Sequence, residues 1–104
     1  MRATSTAWRT LPTRRTFERR STWVHAVMHL EGNSQSIVVR DVSRGGMRIE
    51  YAYGLAPGDH IRIEFMSGRS LDGTVAWSVA AYCGVEFPSL LAEDDPLLES
   101  CKRH

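Results

Sequence analysis

Cysteine is scarce in this chain. Cys83 and Cys101 are the only two among 104 residues, too few for a disulfide framework. They form no metal-ligand spacing with His25, His29, His60 or His104, and a structural zinc site wants more ligands than that. Long apolar runs are missing as well. None approaches the roughly 20 residues that a membrane-spanning helix needs, so no membrane insertion is expected. The N-terminus has no hydrophobic segment of the secretory kind. Its Arg/Ser/Thr-rich start is also the composition of an organelle transit peptide, but Glu18 and the lack of an amphipathic apolar face oppose that. A cytoplasmic protein is the expectation. Finally, no Ser or Cys stands in a pattern that activates a nucleophile. His25 and His29 share one strand face, where lone histidines are commonly surface or packing residues. No enzymatic activity and no bound metal or cofactor are expected.

What is present suits one folded domain. Apolar residues make up 42%, and a chain of this length buries roughly two-thirds of its unfolded surface. The formal net charge of +1 conceals a split. Residues 1–20 hold six arginines (Arg2, Arg9, Arg14, Arg15, Arg19, Arg20) against one acid, a local +5. Residues 21–104 hold 7 basic and 11 acidic residues, a net −4. A basic arm on a mildly acidic body predicts an anionic partner for the arm.

Six runs alternate with the period of a strand. They are Trp23 to Leu30, Ser36 to Arg40, Met47 to Tyr51, Ile61 to Phe65, Leu71 to Trp77 and Tyr82 to Phe87. Turn residues separate them at Glu31-Gly32-Asn33-Ser34, Asp41 to Gly46, Gly54 to Asp59, Ser67-Gly68-Arg69 and around Ala80. Short strands at about ten-residue spacing predict an all-β antiparallel barrel or sandwich, and closure as a barrel hides edge strands. After Ser89 the pattern changes: Leu90, Leu91, Leu97 and Leu98 mix with acids, and Pro96 follows Asp95. A short helix starting at Pro96 is predicted, its leucines packed on the barrel mouth or on a partner. The expected organisation is a tail over 1–13, an arm over 14–20, a barrel over 22–88 and a helical tail over 89–104.

One corner carries more chemistry than a connector requires. Asp41-Val42-Ser43-Arg44-Gly45-Gly46 offers a carboxylate, a hydroxyl, a guanidinium and two glycines. Asp41 and Ser43 either face a ligand or bond their own backbone in an Asx-type turn. Gly46, with no Cβ, lets a ligand approach the backbone. Upstream, Arg15 and Arg19 are four residues apart, a spacing that puts both on one helical face or converges them from an extended loop. A solvated basic face is the plain alternative.

Together these stretches match two motifs. Arg15-Thr16-Phe17-Glu18-Arg19 has the form RxxxR, and Asp41 to Gly46 has the form DxSxxG. With Leu55, Gly58-Asp59, the Gly73-Thr-Val-Ala-Trp77 strand and Gly84-Val-Glu-Phe87, the stretch from Arg14 to Phe87 resembles the PilZ domain, a bacterial receptor for cyclic di-GMP. The resemblance implies a six-stranded antiparallel barrel with a C-terminal helix and no catalysis. It implies Arg15 and Arg19 on guanine or phosphate, Asp41 and Ser43 on the guanine edge and nearby oxygens, and Gly46 leaving room. It extends to Arg14, a position often basic in relatives able to hold a stacked ligand dimer, and Arg20 and Arg44 stand close enough to add charge. The implied role is a cyclic di-GMP receptor that folds its flexible arm over the ligand and signals to a downstream protein, with no DNA partner. Two rivals stand beside it. One is the same barrel, blind to nucleotide, used only to dock a partner. The other is a small RNA-binding barrel, for which Trp23, Tyr51 and Tyr53 would have to supply stacking surfaces.

Overall fold

The structure, a computed structural model, describes residues 17–100 and 102–103. Tail residues 1–13 and the arginines Arg14 and Arg15 lie outside the described residues. Six strands close into the expected antiparallel barrel: β1 (Arg20–Leu30), β2 (Asn33–Ser43), β3 (Gly46–Glu50), β4 (His60–Phe65), β5 (Ser70–Val79) and β6 (Tyr82–Glu86). Their order is β2-β3-β6-β5-β4-β1, and β1 pairs back onto β2. One helical turn, α1 (Pro96–Glu99), follows. A two-residue strand, β7 (Lys102–Arg103), then pairs with Arg20 and Ser21. Among the described residues no helix is long and apolar enough to cross a membrane.

Alternation builds the core. β4 is the cleanest case: Ile61, Ile63 and Phe65 are buried while His60, Arg62 and Glu64 face out. Val39, Val42, Ile49, Ile63, Val75 and Val85 meet inside with almost no exposed surface. Each such side chain contributes about 1.5–3 kcal/mol by leaving water.

Several expected boundaries shift. β1 starts at Arg20, so the last residue of the expected arm already belongs to the barrel. The β1–β2 turn narrows to Glu31-Gly32, because both take positive φ (50° and 86°) and close a two-residue hairpin. The corner between β2 and β3 narrows to Arg44-Gly45, since Asp41, Val42 and Ser43 continue the β2 ladder. The short helix expected at Pro96 is there as a single turn, and β7 follows it.

Three pairings break register: β1 with β2 between Ser21 and Val24, and two that shape the outer face beside the β2–β3 corner. In β2 the register with β3 shifts between Val39 and Asp41, and in β5 the register with β6 shifts between Val75 and Trp77. Each shift is a bulge, one extra residue that reverses which face the next side chain takes. Trp77, which sequence periodicity groups with Leu71, Gly73 and Val75, therefore stands on the outer face instead.

α1 is anchored from both sides. Asp95 caps it by accepting from the Leu97 N–H at 2.9 Å, Pro96 occupies the first turn, and Leu98 is buried. Arg69, just before β5, grips the Asp95 carboxylate with both guanidinium nitrogens at 2.6 and 2.7 Å. Those bonds hold the Asp95 carboxyl below its ordinary value of 3.8. A carboxyl whose folded value is depressed stabilises the fold above its unfolded value, and that contribution disappears as pH falls through the folded one. Asp95→Asn is expected to cost about 1–2 kcal/mol at pH 7 through the weakened cap and ion pair. Thermal melts should show the gap between wild type and variant closing as the pH drops below about 3.8.

Candidate functional site

The β2–β3 hairpin sets the site because its turn is short. Counting back from Arg44-Gly45, Ser43 faces Gly46, Val42 faces Met47 and Asp41 faces Arg48. The bulge at Arg40 turns Asp41 to the outer face, beside Arg48 and away from the core. Asp41 is nonetheless only 6% exposed, because two guanidiniums cover it. Arg19 Nη1 donates to Asp41 Oδ1 at 3.0 Å, and Arg48 Nε lies 3.0 Å from Oδ2. That second contact pairs the charges without the alignment of a hydrogen bond, so the buried Arg48 Nε–H is left without an acceptor. The Arg48 guanidinium also lies 5.3 Å from the centre of the Tyr82 ring.

The two motif segments thus meet in space. Phe17 follows the same route as Arg19: its ring stands over Gly45 with Leu90 beside it, both where a Cβ on Gly45 would just touch them. The depression beside this junction, about 580 Å³, is lined by Glu18, Arg19, Asp41, Arg48 and Trp77. A larger groove of about 740 Å³ lies on the outer face of β1, β4 and β5, next to His29, His60, Arg62 and Asp72. Its polar groups answer one another, with Arg62 on Asp72 at 3.1 Å and His29 Nε2 hydrogen-bonded to Glu64 at 2.9 Å. The Asp41 depression instead sets two guanidiniums on one carboxylate, while Glu18, its other acid, pairs with Arg20 at 3.5 Å, so a guanidinium at Asp41 is left over for an anion.

The other candidate residues divide. Ser43 follows the Asx-type alternative: its Oγ accepts from the Gly45 N–H at 3.3 Å and reaches the Gly46 carbonyl at 3.5 Å. Asp41 does not, since its partners are side chains from elsewhere. Gly46 was expected to leave room for a ligand. The space where its Cβ would stand is filled by the Val85 carbonyl oxygen of β6, so its bareness serves strand pairing. Arg44 turns away from Asp41, donating to the Leu91 carbonyl at 2.7 Å and stacking 5.5 Å from the centre of Phe17. Arg20 donates to the Leu98 carbonyl at 2.8 Å and pairs with Glu18. Both hold the C-terminal segment. Arg14 and Arg15 lie outside the described residues.

Sequence reasoning passed over Arg48 and Trp77. The signal for Arg48 was the two-residue turn, which dictates that Asp41 faces it; a six-residue corner hides that pairing. Trp77 had no comparable signal, because only the bulge brings it outward. Among the described residues no cluster of His, Cys, Asp and Glu is arranged to hold a metal ion. Cys83 points into the core, where burial pushes its thiol up to about 11, far from a nucleophilic thiolate.

No curated protein matches the sequence. The family model of the PilZ domain matches residues 13–102, nearly the whole chain. Barrel, paired motifs and family match agree, and the chain belongs to the PilZ domain family.

Proposed function

We propose that this protein is a receptor for cyclic di-GMP, without catalytic activity of its own, working in the cytoplasm. The observation that carries the reading is the 3.0 Å contact between Arg19 and Asp41. It joins the arginine arm to the hairpin corner at an open depression where two arginines share one carboxylate. A doubly anionic dinucleotide with two guanines suits such a place. Guanine offers O6 and N7 as paired acceptors to an arginine fork and an exocyclic amino donor to a carboxylate. Phosphate favours the same fork. In this reading guanine takes a place at Asp41 now held by an arginine, and the released guanidinium turns to the ligand. Arg14 and Arg15 close from the arm, and Ser43 holds the corner's shape.

Magnitudes allow it. Micromolar binding needs about −8 kcal/mol. Charge-assisted hydrogen bonds supply roughly 1.5–3 kcal/mol each, and fixing a segment costs about 2–5 kcal/mol. Four or more such bonds with guanine stacking suffice, and two do not.

Isothermal titration is expected to show micromolar binding of cyclic di-GMP, with GMP and cyclic di-AMP much weaker. Arg15→Ala and Arg19→Ala should each lose roughly ten- to a hundredfold, and near-wild-type affinity for both would refute the clamp. A flat wild-type titration would leave the nucleotide-blind docking module as the better account. In the receptor reading, ligand binding fixes the arm from residue 8 up to Phe17, where the described contacts with the barrel begin, and presents a changed surface to a downstream protein. Amide exchange of residues 8–16 should slow when cyclic di-GMP is added, and unchanged protection there would exclude the coupling.

A further inference from the structure

Tyr82 is the first residue of β6 and faces Glu50 of β3. It belongs to neither motif and does not line the depression at Asp41. Two arginines nevertheless take hold of it. The Arg48 guanidinium lies over its ring, 5.3 Å from the centre, and Arg40 Nη1 donates to its hydroxyl at 3.3 Å. Arg40 is itself held twice, by the Glu50 carboxylate and by the Trp23 ring 4.6 Å away. The ring that Arg48 rests on is therefore braced from the far side of the sheet row.

Arg48 has two partners that compete for it. The ring face of Tyr82 attracts a guanidinium through its quadrupole, and the Asp41 carboxylate attracts it by charge. The result is a compromise. Nε lies 3.0 Å from Asp41 Oδ2, close enough for an ion pair, yet the N–H is out of line and finds no acceptor. A buried donor in that state is unfavourable, so an unrestrained side chain would turn to make the bond. We propose that Tyr82 is a positioning residue: its ring holds the Arg48 guanidinium off the hydrogen bond to Asp41 and keeps the Nε–H for a ligand acceptor. The inference rests on the cyclic di-GMP reading and adds to it how the site stays ready before ligand arrives. A guanine whose amino group takes Asp41 also presents the O6 acceptor, so the carboxylate and the withheld donor meet one base together. Adenine has an amino donor in place of O6 and offers that N–H nothing.

The test uses the full chain and cyclic di-GMP. Proton–nitrogen NMR follows exchange of the Arg48 Nε–H with water, its signal identified by its loss in Arg48→Lys. Without ligand, Tyr82→Leu should slow that exchange, because the freed guanidinium settles on Asp41 and the N–H gains an acceptor. A ring that merely propped the sheet would, when removed, expose the group and speed exchange; faster or unchanged exchange overturns the proposal. Tyr82→Phe keeps the ring face and should keep the wild-type rate, and a Phe variant that behaves like Leu overturns it too. In titrations Tyr82→Leu should weaken binding roughly 3- to 30-fold, while Tyr82→Phe stays within about twofold of wild type. Added to Arg48→Lys, Tyr82→Leu should cause no further loss, because Tyr82 acts through Arg48; losses that add would overturn the proposal. If Tyr82→Leu fails to fold, the wild-type protein carries the test. Its Arg48 Nε–H should exchange more slowly once cyclic di-GMP is bound, and an unchanged rate overturns the proposal. Absence of any binding by the wild-type protein would sink the receptor reading and this proposal with it. Wild-type binding that Tyr82→Leu leaves intact would sink this proposal alone.

Discussion

A strand shows its side chains alternately to two faces, and a barrel core tolerates no lapse in that count. The site exists because β2 and β5 each lapse once. Without the extra residue at Arg40, Asp41 would follow Val39 into the core, where an ionised carboxylate has no water and no partner. Without the extra residue at Ala76, Trp77 would follow Val75 inward. Each bulge shifts the phase by one and puts its residue on the outer face, where both flank Arg48. Two local irregularities thus convert a plain barrel wall into a depression with a carboxylate at one end and an indole at the other.

Arginine does most of the connecting work outside the core, in two separate groups. Arg20, Arg44 and Arg69 reach backbone or carboxylate groups of the segment from Leu91 to Leu98 and tie it to the barrel. Arg19 and Arg48 converge on Asp41, while Arg40 pairs with Glu50 and lies over Trp23, 4.6 Å from its ring centre. The distinction matters for energetics. Arginines of the first group satisfy carbonyl and cap groups that no ligand would replace. Those on Asp41 include a donor, Arg48 Nε, whose hydrogen bond is not made. A buried donor without an acceptor costs roughly 1–3 kcal/mol, so that pairing is the one a better acceptor displaces most easily.

Much of this was legible in the residues. Alternation in Ile61 to Phe65 and Trp23 to Leu30 gave faces that match the burial observed. Pro96 after Asp95 marked the start of the helix. The two motifs marked the segments that meet. What stayed hidden depends on register, which a single sequence does not display. The composition of Asp41 to Gly46 suits a longer turn than the two-residue one that forms, which conceals the pairing of Asp41 with Arg48. Bulges leave no compositional mark, so spacing alone puts Trp77 on the inner face. The bareness of Gly46 has a cause that lies 39 residues away, in Val85, and pairing at that distance is visible only in three dimensions.

The ladder between β7 and the start of β1 has a consequence for construction. Arg20 pairs with Arg103, and Ser21 with Lys102, so the chain enters and leaves the barrel at one place. The stretch that leads into Arg20 and the stretch that follows Arg103 therefore meet the barrel side by side. Entry and exit strands this close suit circular permutation of the barrel, with the exposed Ser67-Gly68 hairpin tip as a natural site for new termini.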